Sequence, residues 1–241
     1  MRMSPEGAEL LLGAGRELGL DLGPHMPRFA RFYRMLVEAN QRMNLTSVRD
    51  ERGIILKHFV DSLTCLLYPG FVSGMEVVDV GTGAGFPGLP LAIVRPDLRF
   101  CLLDATRKKV RFVASAVEGL SLRNAEALWG RAEELAQGVK RETFHVAVAR
   151  AVSSLPVVAE LTLPLVRVGG FVLLQKGPEV EGELGHSKGA LEKLGGVLEE
   201  VLSLSLPVGG EARRLVVLRK RRPTPKEYPR RVGVPAKNPL S

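Results

Sequence analysis

The segment Glu76-Val77-Val78-Asp79-Val80-Gly81-Thr82-Gly83-Ala84-Gly85-Phe86-Pro87-Gly88 runs from an apolar strand straight into a glycine-dense turn. Glycine there lets the backbone take positive φ and lets a ligand approach the main chain. Pro87 and Gly88 then open a helix whose free amides face that ligand. Asp104 follows Asp79 by 25 residues, at the end of the next apolar run. A carboxylate so placed can accept hydrogen bonds from both hydroxyls of a ribose. The set predicts an adenosine-containing cofactor, and two cofactor classes compete for it. Gly83-x-Gly85-x-x-Gly88 with Asp104 satisfies the dinucleotide fingerprint of an oxidoreductase. Asp79-x-Gly81-x-Gly83-x-Gly85 satisfies the acidic strand and triple-glycine loop of S-adenosylmethionine enzymes. Register favours the second, because counting from Gly81, the first glycine after the strand, puts Phe86 where the third dinucleotide glycine belongs. A carboxylate at Asp79 also suits a methionine ammonium and would repel a pyrophosphate.

The elements that must position these groups follow from periodicity. Short β-branched runs alternate with helical stretches from Gly74 onward, the pattern of βαβ units and a doubly wound, mostly parallel sheet. Strands are predicted at Glu76–Val80, Arg99–Asp104, Glu126–Trp129, Phe144–Ala149 and Gly170–Lys176, with helices near Gly88–Arg95, Arg107–Leu120 and Leu155–Val166. Leu198–Leu206 and Arg213–Arg219, joined by Pro207-Val208-Gly209-Gly210, read as an antiparallel hairpin closing the sheet. The first seventy residues read as helices: Ser4-Pro5 to Leu18, Pro27 to about Arg42, and a third from Asp50 to near Pro69. The predicted organisation is a helical subdomain over 1–73, a Rossmann-like α/β domain over 74–219 and a basic, proline-rich tail over 220–241, all in one compact unit.

The chain has 241 residues and a formal net charge of +8. Eight basic residues against one acid lie between Arg219 and Ser241, a surplus of +7, which leaves 26 basic and 25 acidic residues in the remaining body. Such a distribution predicts a polyanion-binding element attached to a neutral core. Cys65 and Cys101 sit in apolar contexts without metal-ligand or redox spacing, so they read as buried thiols, and no metal is expected. The N-terminus lacks a secretory apolar region and no run reaches membrane-span length, which makes cytoplasm the expected compartment.

The glycine loop, Asn44-Leu45-Thr46, His58-x-x-Asp61-Ser62, Leu103-Asp104 with Lys108-Lys109-x-Arg111-Phe112, Arg131-Ala132-Glu133-Glu134, Ala149-Arg150-Ala151 and the tail Tyr228-Pro229-Arg230-Arg231-x-Gly233-x-Pro235-x-Lys237-x-Pro239-Leu240 together resemble the bacterial small-subunit ribosomal RNA methyltransferase G family, also called glucose-inhibited division protein B. The resemblance runs from about Arg28 to Leu240. Ala84 departs from the proline often found there. The resemblance implies methyl transfer from S-adenosylmethionine to N7 of the guanine usually numbered 527, in the 530 loop of 16S ribosomal RNA, with that RNA, the small subunit or its assembly intermediate as partner; a monomer is expected, and the non-enzymatic alternative is an RNA- or ribosome-binding factor that keeps the fold without activity. The sequence is consistent with a ring-nitrogen target. Arg150-Ala151-Val152-Ser153 stands where enzymes acting on exocyclic amines carry an Asp/Asn-Pro-Pro-aromatic motif, and no Pro-Cys supplies a nucleophilic thiolate.

On this reading Asp79, Gly81, Gly83, Gly85 and Phe86 line the methionine and ribose portion of the cofactor, Asp104 takes the ribose with Ala105 and Thr106 beside it, and Ala132 and Glu133 meet the adenine. Arg150, at the carboxyl edge of the sheet, is expected to face cofactor or target guanine, with a structural ion pair as the alternative. Lys176 shares that edge and is a candidate phosphate contact. His58 and Asp61 are spaced to form a hydrogen-bonded pair on one helix face. Candidate RNA contacts are the stripe Arg28, Arg31 and Arg34, then Lys108 and Lys109, and the tail cations Arg219, Lys220, Arg221, Arg222, Lys226, Arg230, Arg231 and Lys237, which read as a backbone-tracking arm without a packing role.

Overall fold

A computed structural model describes residues 2–150 and 153–241. Helix α1 (Pro5–Glu17) starts where Ser4 Oγ accepts the Gly7 amide at 2.9 Å. The same hydroxyl donates to Glu51 Oε2 at 2.5 Å, which ties the cap to the third helical segment. α2 (Met26–Met43) ends at Asn44, whose φ of 48° turns the chain out of the helix. Asp50 caps α3 (Glu51–Ile54), but the helix expected to run on to Pro69 changes its winding. It widens to a π-helical stretch over Ile55–Val60, returns to α form in α4 (Asp61–Leu63) and tightens to a 3₁₀ turn over Thr64–Leu67. Periodicity marks the buried face of this run but not its pitch. The apolar face is the one expected: Phe29, Phe32 and Phe59 are fully buried, with ring centroids 5.3 Å apart for Phe29–Phe59 and 5.4 Å for Phe32–Phe59.

The rest of the chain builds a seven-stranded sheet. In sequence it runs β1 (Glu76–Val80), α5 (Gly88–Val94), β2 (Arg99–Asp104), α6 (Arg107–Gly119), β3 (Ala125–Trp129), α7 (Ala132–Gln137), β4 (Phe144–Arg150), α8 (Leu155–Thr162), β5 (Val166–Lys176), α9 (Glu181–Lys193), β6 (Gly196–Ser205), β7 (Ala212–Lys220) and α10 (Val234–Lys237). The strand order is β3-β2-β1-β4-β5-β7-β6; β1 to β5 pair in parallel, and β7 pairs antiparallel with both β5 and β6. Successive side chains of a strand point to opposite faces, so each central strand feeds two cores. Val77, Leu102, Val146 and Val148 pack with the N-terminal helices, α5 and α6. Val78, Leu103, Ala147 and Ala149 pack with α7, α8 and α9. The order reverses between β1 and β4, and there the carboxyl ends of the two strands diverge to open the crevice in which ligands of such sheets bind.

Two expectations need correction. α9 occupies a stretch in which no element is predicted, because Gly182, Gly185 and Gly189 and a weak apolar stripe obscure its helical period. The tail lies on the body, within the one compact unit expected, but some of its cations do have a packing role. Lys220 is fully buried and donates to the Leu163 carbonyl at 2.8 Å and to Thr224 Oγ1, with Glu142 at 3.0 Å. Arg230 donates through its main-chain amide, Nε and Nη2 to Glu160, a carboxylate with no solvent exposure. Arg141 returns the grip by donating to the carbonyls of Thr224, Pro225 and Tyr228 at 2.7–3.0 Å. Prolines remove the tail's own backbone donors, so body side chains bind its carbonyls instead.

Candidate cofactor and substrate site

The glycine loop is strapped between two carboxylates. Asp79 Oδ2 accepts from Thr82 Oγ1 at 2.6 Å and from the Gly88 amide at 2.8 Å. Asp104 Oδ2 accepts from the Gly83 amide at 2.9 Å, and its Oδ1 accepts from the Thr106 amide at 2.7 Å. The amides of Gly81 and Thr82 both reach the Leu103 carbonyl at 2.9 Å, which docks the loop onto the end of β2. Gly81 and Gly83 hold φ values of 75° and 61°, and a Cβ at Gly81 would meet nothing within 4 Å. The loop therefore faces open space with bare backbone. Gly88 has the opposite reason to be glycine: a Cβ there would lie 2.7 Å from Asp79 Oδ2.

One atom of this cradle lacks a partner. Asp79 Oδ1 is buried and accepts no hydrogen bond. Burial pushes the Asp79 carboxyl up to about 6, against the pull of the Thr82 and Gly88 donors. A buried acceptor without a donor is costly unless a ligand supplies one, and a ligand ammonium would both donate and neutralise. The residues present therefore fit an amino-acid-bearing adenosine cofactor.

The neighbouring side chains are arranged differently from expectation. The Phe86 ring is buried, stacks on His58 at 4.7 Å and packs at a tilt against Phe32 at 5.4 Å, so it seals the loop against the N-terminal helices instead of lining the open side. His58 and Asp61 do not bond to each other. His58 Nε2 meets Thr46 Oγ1 at 2.7 Å, and burial, with Arg150 nearby, lowers the ring's pKa to about 4. Asp61 is buried and pairs with Arg213 at 3.3 Å and Arg150 at 3.9 Å; burial raises its pKa and the two arginines oppose the rise. Arg150 donates to the Lys57 carbonyl at 2.8 Å and lies 5.1 Å from the Phe86 ring centre. The structural alternative for Arg150 is thus present, and Arg213, which sequence reasoning missed, joins it. Gln175 completes this edge by donating to the Asp61 carbonyl and to Thr64 Oγ1. Lys176 is also committed, to the Ser153 carbonyl at 2.6 Å and Glu183 at 3.1 Å, which removes it from the candidate phosphate contacts.

Across the crevice, Ala105 and Thr106 lead from Asp104 into α6, and Ala132 and Glu133 begin α7 at the end of β3. Glu133 Oε1 accepts the Gly233 amide at 3.1 Å, so its side chain holds the tail. Gly85, with a φ of 96°, packs on Leu89 and not against the opening. Among the RNA candidates, Arg28, Arg31, Arg34 and Lys108 are exposed and Lys109 is half-buried; Arg28 also donates to the Leu120 carbonyl. Arg219 is held by Glu199 and the Tyr68 hydroxyl at 2.6–2.7 Å, and with Lys220 and Arg230 it belongs to packing. Arg221, Arg222, Lys226, Arg231 and Lys237 remain exposed. The partners of the two internal tail cations are the half-buried Glu142 and the fully buried Glu160, and a buried acid of the second kind demands a cation. Cys65 and Cys101 are buried thiols; burial raises both, Cys101 to about 12.

Sheet order, switch-point loop and paired carboxylates define the class as a Rossmann-like methyltransferase whose cofactor is S-adenosylmethionine. The fold matches a SAM-dependent methyltransferase from Aquifex aeolicus at a TM-score of 0.53, with 20% identity, covering 73% of this chain and 96% of that one. A putative methyltransferase from Bacillus halodurans matches at 0.52, with 18% identity over 67% and 99% of the two chains. The family model for the rRNA small subunit methyltransferase G matches residues 25–215, and the chain belongs to that family. Proteins named ribosomal RNA small subunit methyltransferase G from Deinococcus deserti and Deinococcus radiodurans are each 50% identical over 239 residues, 99% of this chain and 98% and 94% of theirs. Among the described residues no helix is long and apolar enough to cross a membrane.

Proposed function

We propose that the chain methylates N7 of a guanine in 16S ribosomal RNA, the base usually numbered 527, using S-adenosylmethionine and no general base. The observation that carries the reading is the unpartnered Asp79 oxygen beside the open Gly81–Gly83 backbone, with Asp104 one strand away. Asp79 Oδ1 would receive the cofactor's ammonium, Asp104 its ribose hydroxyls, and the segments at Ala105–Thr106 and Ala132–Glu133 would flank its adenine. When bound, the cofactor supplies an electrophilic methyl on a sulfonium.

Guanine N7 carries a free lone pair, so the protein's task is to orient the base and exclude water, not to remove a proton. The ionisable side chains at the crevice are consistent with that division of labour. His58 is bonded to Thr46 and stacked on Phe86, Asp61 is paired with two arginines, and Lys176 is paired with Glu183. None is poised as a base. Arg150 and Arg213, each about three-quarters buried and fixed by Asp61, are suited to orient an electron-rich base or its phosphate at the edge of the crevice. RNA affinity is assigned to the exposed cations Arg28, Arg31, Arg34, Lys108, Arg221, Arg222, Lys226, Arg231 and Lys237. Transfer of tritium from labelled S-adenosylmethionine into 30S subunits or naked 16S RNA tests the reading; no incorporation into either would refute it.

A further inference from the structure

We propose that Trp129 is a stacking platform for one unpaired base of the RNA substrate, set beside the cofactor mouth. The proposal rests on the RNA methyltransferase reading above and adds a contact residue to it. Trp129 ends β3, the edge strand, and is 51% exposed, although a tryptophan normally buries its large apolar surface. Its ring is nevertheless fixed. The indole Nε1 donates to the Ala105 carbonyl at 3.0 Å, and the Arg107 guanidinium carbon lies 4.1 Å from the ring centroid. One face is therefore covered by a cation and the orientation is set before any ligand arrives, which lowers the entropic cost of stacking on the other face.

Position and charge select the occupant. Trp129 pairs in register with Asp104, so the platform stands one strand, about 4.8 Å, from the residue assigned to the cofactor ribose. The two side chains are tied to different places: the Asp104 carboxylate reaches the loop at Gly83, whereas the indole is held on Ala105 and Arg107. Arg107 and Lys108, at the start of α6, and Arg131, two residues past the ring, are exposed and supply cations for the phosphates flanking a stacked base. Recognition of unpaired RNA proceeds by such pairing of an aromatic or guanidinium plane with a splayed base. A half-exposed ring fixed by one hydrogen bond and backed by a guanidinium, with further exposed cations at Lys108 and Arg131, matches a nucleobase on a polyanionic strand.

The chain contains a single tryptophan, so its fluorescence reports this site alone. Titrating the full chain with a short unstructured RNA should quench the emission, an abasic strand of equal length should quench it much less, and S-adenosylhomocysteine should leave it unchanged. Trp129→Ala should weaken RNA binding by about five- to 150-fold with S-adenosylhomocysteine affinity retained, and Trp129→Phe should restore most of the loss. Quenching by S-adenosylhomocysteine but not by RNA, or wild-type RNA affinity in the folded Trp129→Ala protein, would overturn the platform. Methyl transfer to 16S RNA by the wild type separates the two claims: if transfer occurs and Trp129→Ala leaves the RNA KM unchanged, the platform fails and the activity stands. If the wild type transfers nothing and binds no RNA, both fail.

Discussion

Arg230 offers a direct choice between a tail that is part of the body and a tail that is an RNA arm. Glu160 on α8 has no exposed surface, and its donors are the Arg230 amide at 2.8 Å, Nε at 2.9 and 3.2 Å, and Nη2 at 2.6 Å. The contact also raises the Arg230 pKa, chiefly through its hydrogen bonds to Glu160. Arg230→Ala would remove the guanidinium and leave a buried carboxylate with one backbone donor. Stranding a buried charge costs about 3–5 kcal/mol. The surviving amide and the 22% exposure of the arginine side chain, which lets water reach the gap, place this case near the lower end, about 3 kcal/mol. For a chain of this size that corresponds to a fall in Tm of about 6–12 °C. Urea denaturation of wild type, Arg230→Ala, Glu160→Gln and the double variant measures the coupling, and the double variant should recover part of the loss because no charge remains buried. An unchanged midpoint in Arg230→Ala, accompanied by weaker RNA binding, would refute the packing role.

Asp104→Ala removes the strap on Gly83 together with the assigned ribose acceptors, two charge-assisted hydrogen bonds, so S-adenosylhomocysteine affinity measured by calorimetry should fall about 100-fold; unchanged affinity would refute the assignment. Because burial raises Asp79 to about 6, the folded protein takes up this proton at a higher pH than the unfolded chain, which does so near 4. Its contribution therefore lowers stability as pH rises from about 4 to about 6, by roughly 3 kcal/mol. Cofactor affinity should move the opposite way, rising through pH 6 as the carboxylate ionises, and should be flat across that range in Asp79→Asn; a flat wild-type profile would contradict the ammonium assignment. Truncation after Arg222 removes Thr224, Tyr228, Pro229 and Arg230 from their sites on Glu142, Arg141, Gln137 and Glu160, so it should lower Tm by more than Arg230→Ala does. A truncated chain with wild-type Tm and reduced RNA affinity would restore the free arm.

The sheet was legible because β1 and β2 are short apolar runs ended by chemistry: their predicted bounds, Glu76–Val80 and Arg99–Asp104, are those observed. β5 begins at Val166, ahead of the expected Gly170, since Leu163–Leu165 forms a 3₁₀ turn that releases the chain early. α9 was hidden by its glycines. At the site, spacing located Asp79, Asp104 and the loop, whose roles are set along one strand–turn–helix unit. Spacing could not assign partners across the fold. His58 and Asp61, three residues apart, turn to Thr46 and to Arg213, 12 and 152 positions away. The tail shows the same limit: composition correctly found a cluster of cations, but acids distant in the chain, Glu142, Glu160 and Glu199, decide which of them are free for solvent.

The guanine atom that receives the methyl group distinguishes this enzyme from other RNA methyltransferases. Full-length protein incubated with S-adenosylmethionine and either 30S subunits or naked 16S RNA, followed by N7-specific strand cleavage and primer extension, reads that atom directly. A single new stop is expected, at the guanine usually numbered 527, absent when the cofactor is omitted. Methyl incorporation without a stop at any guanine N7 would contradict the N7 reading.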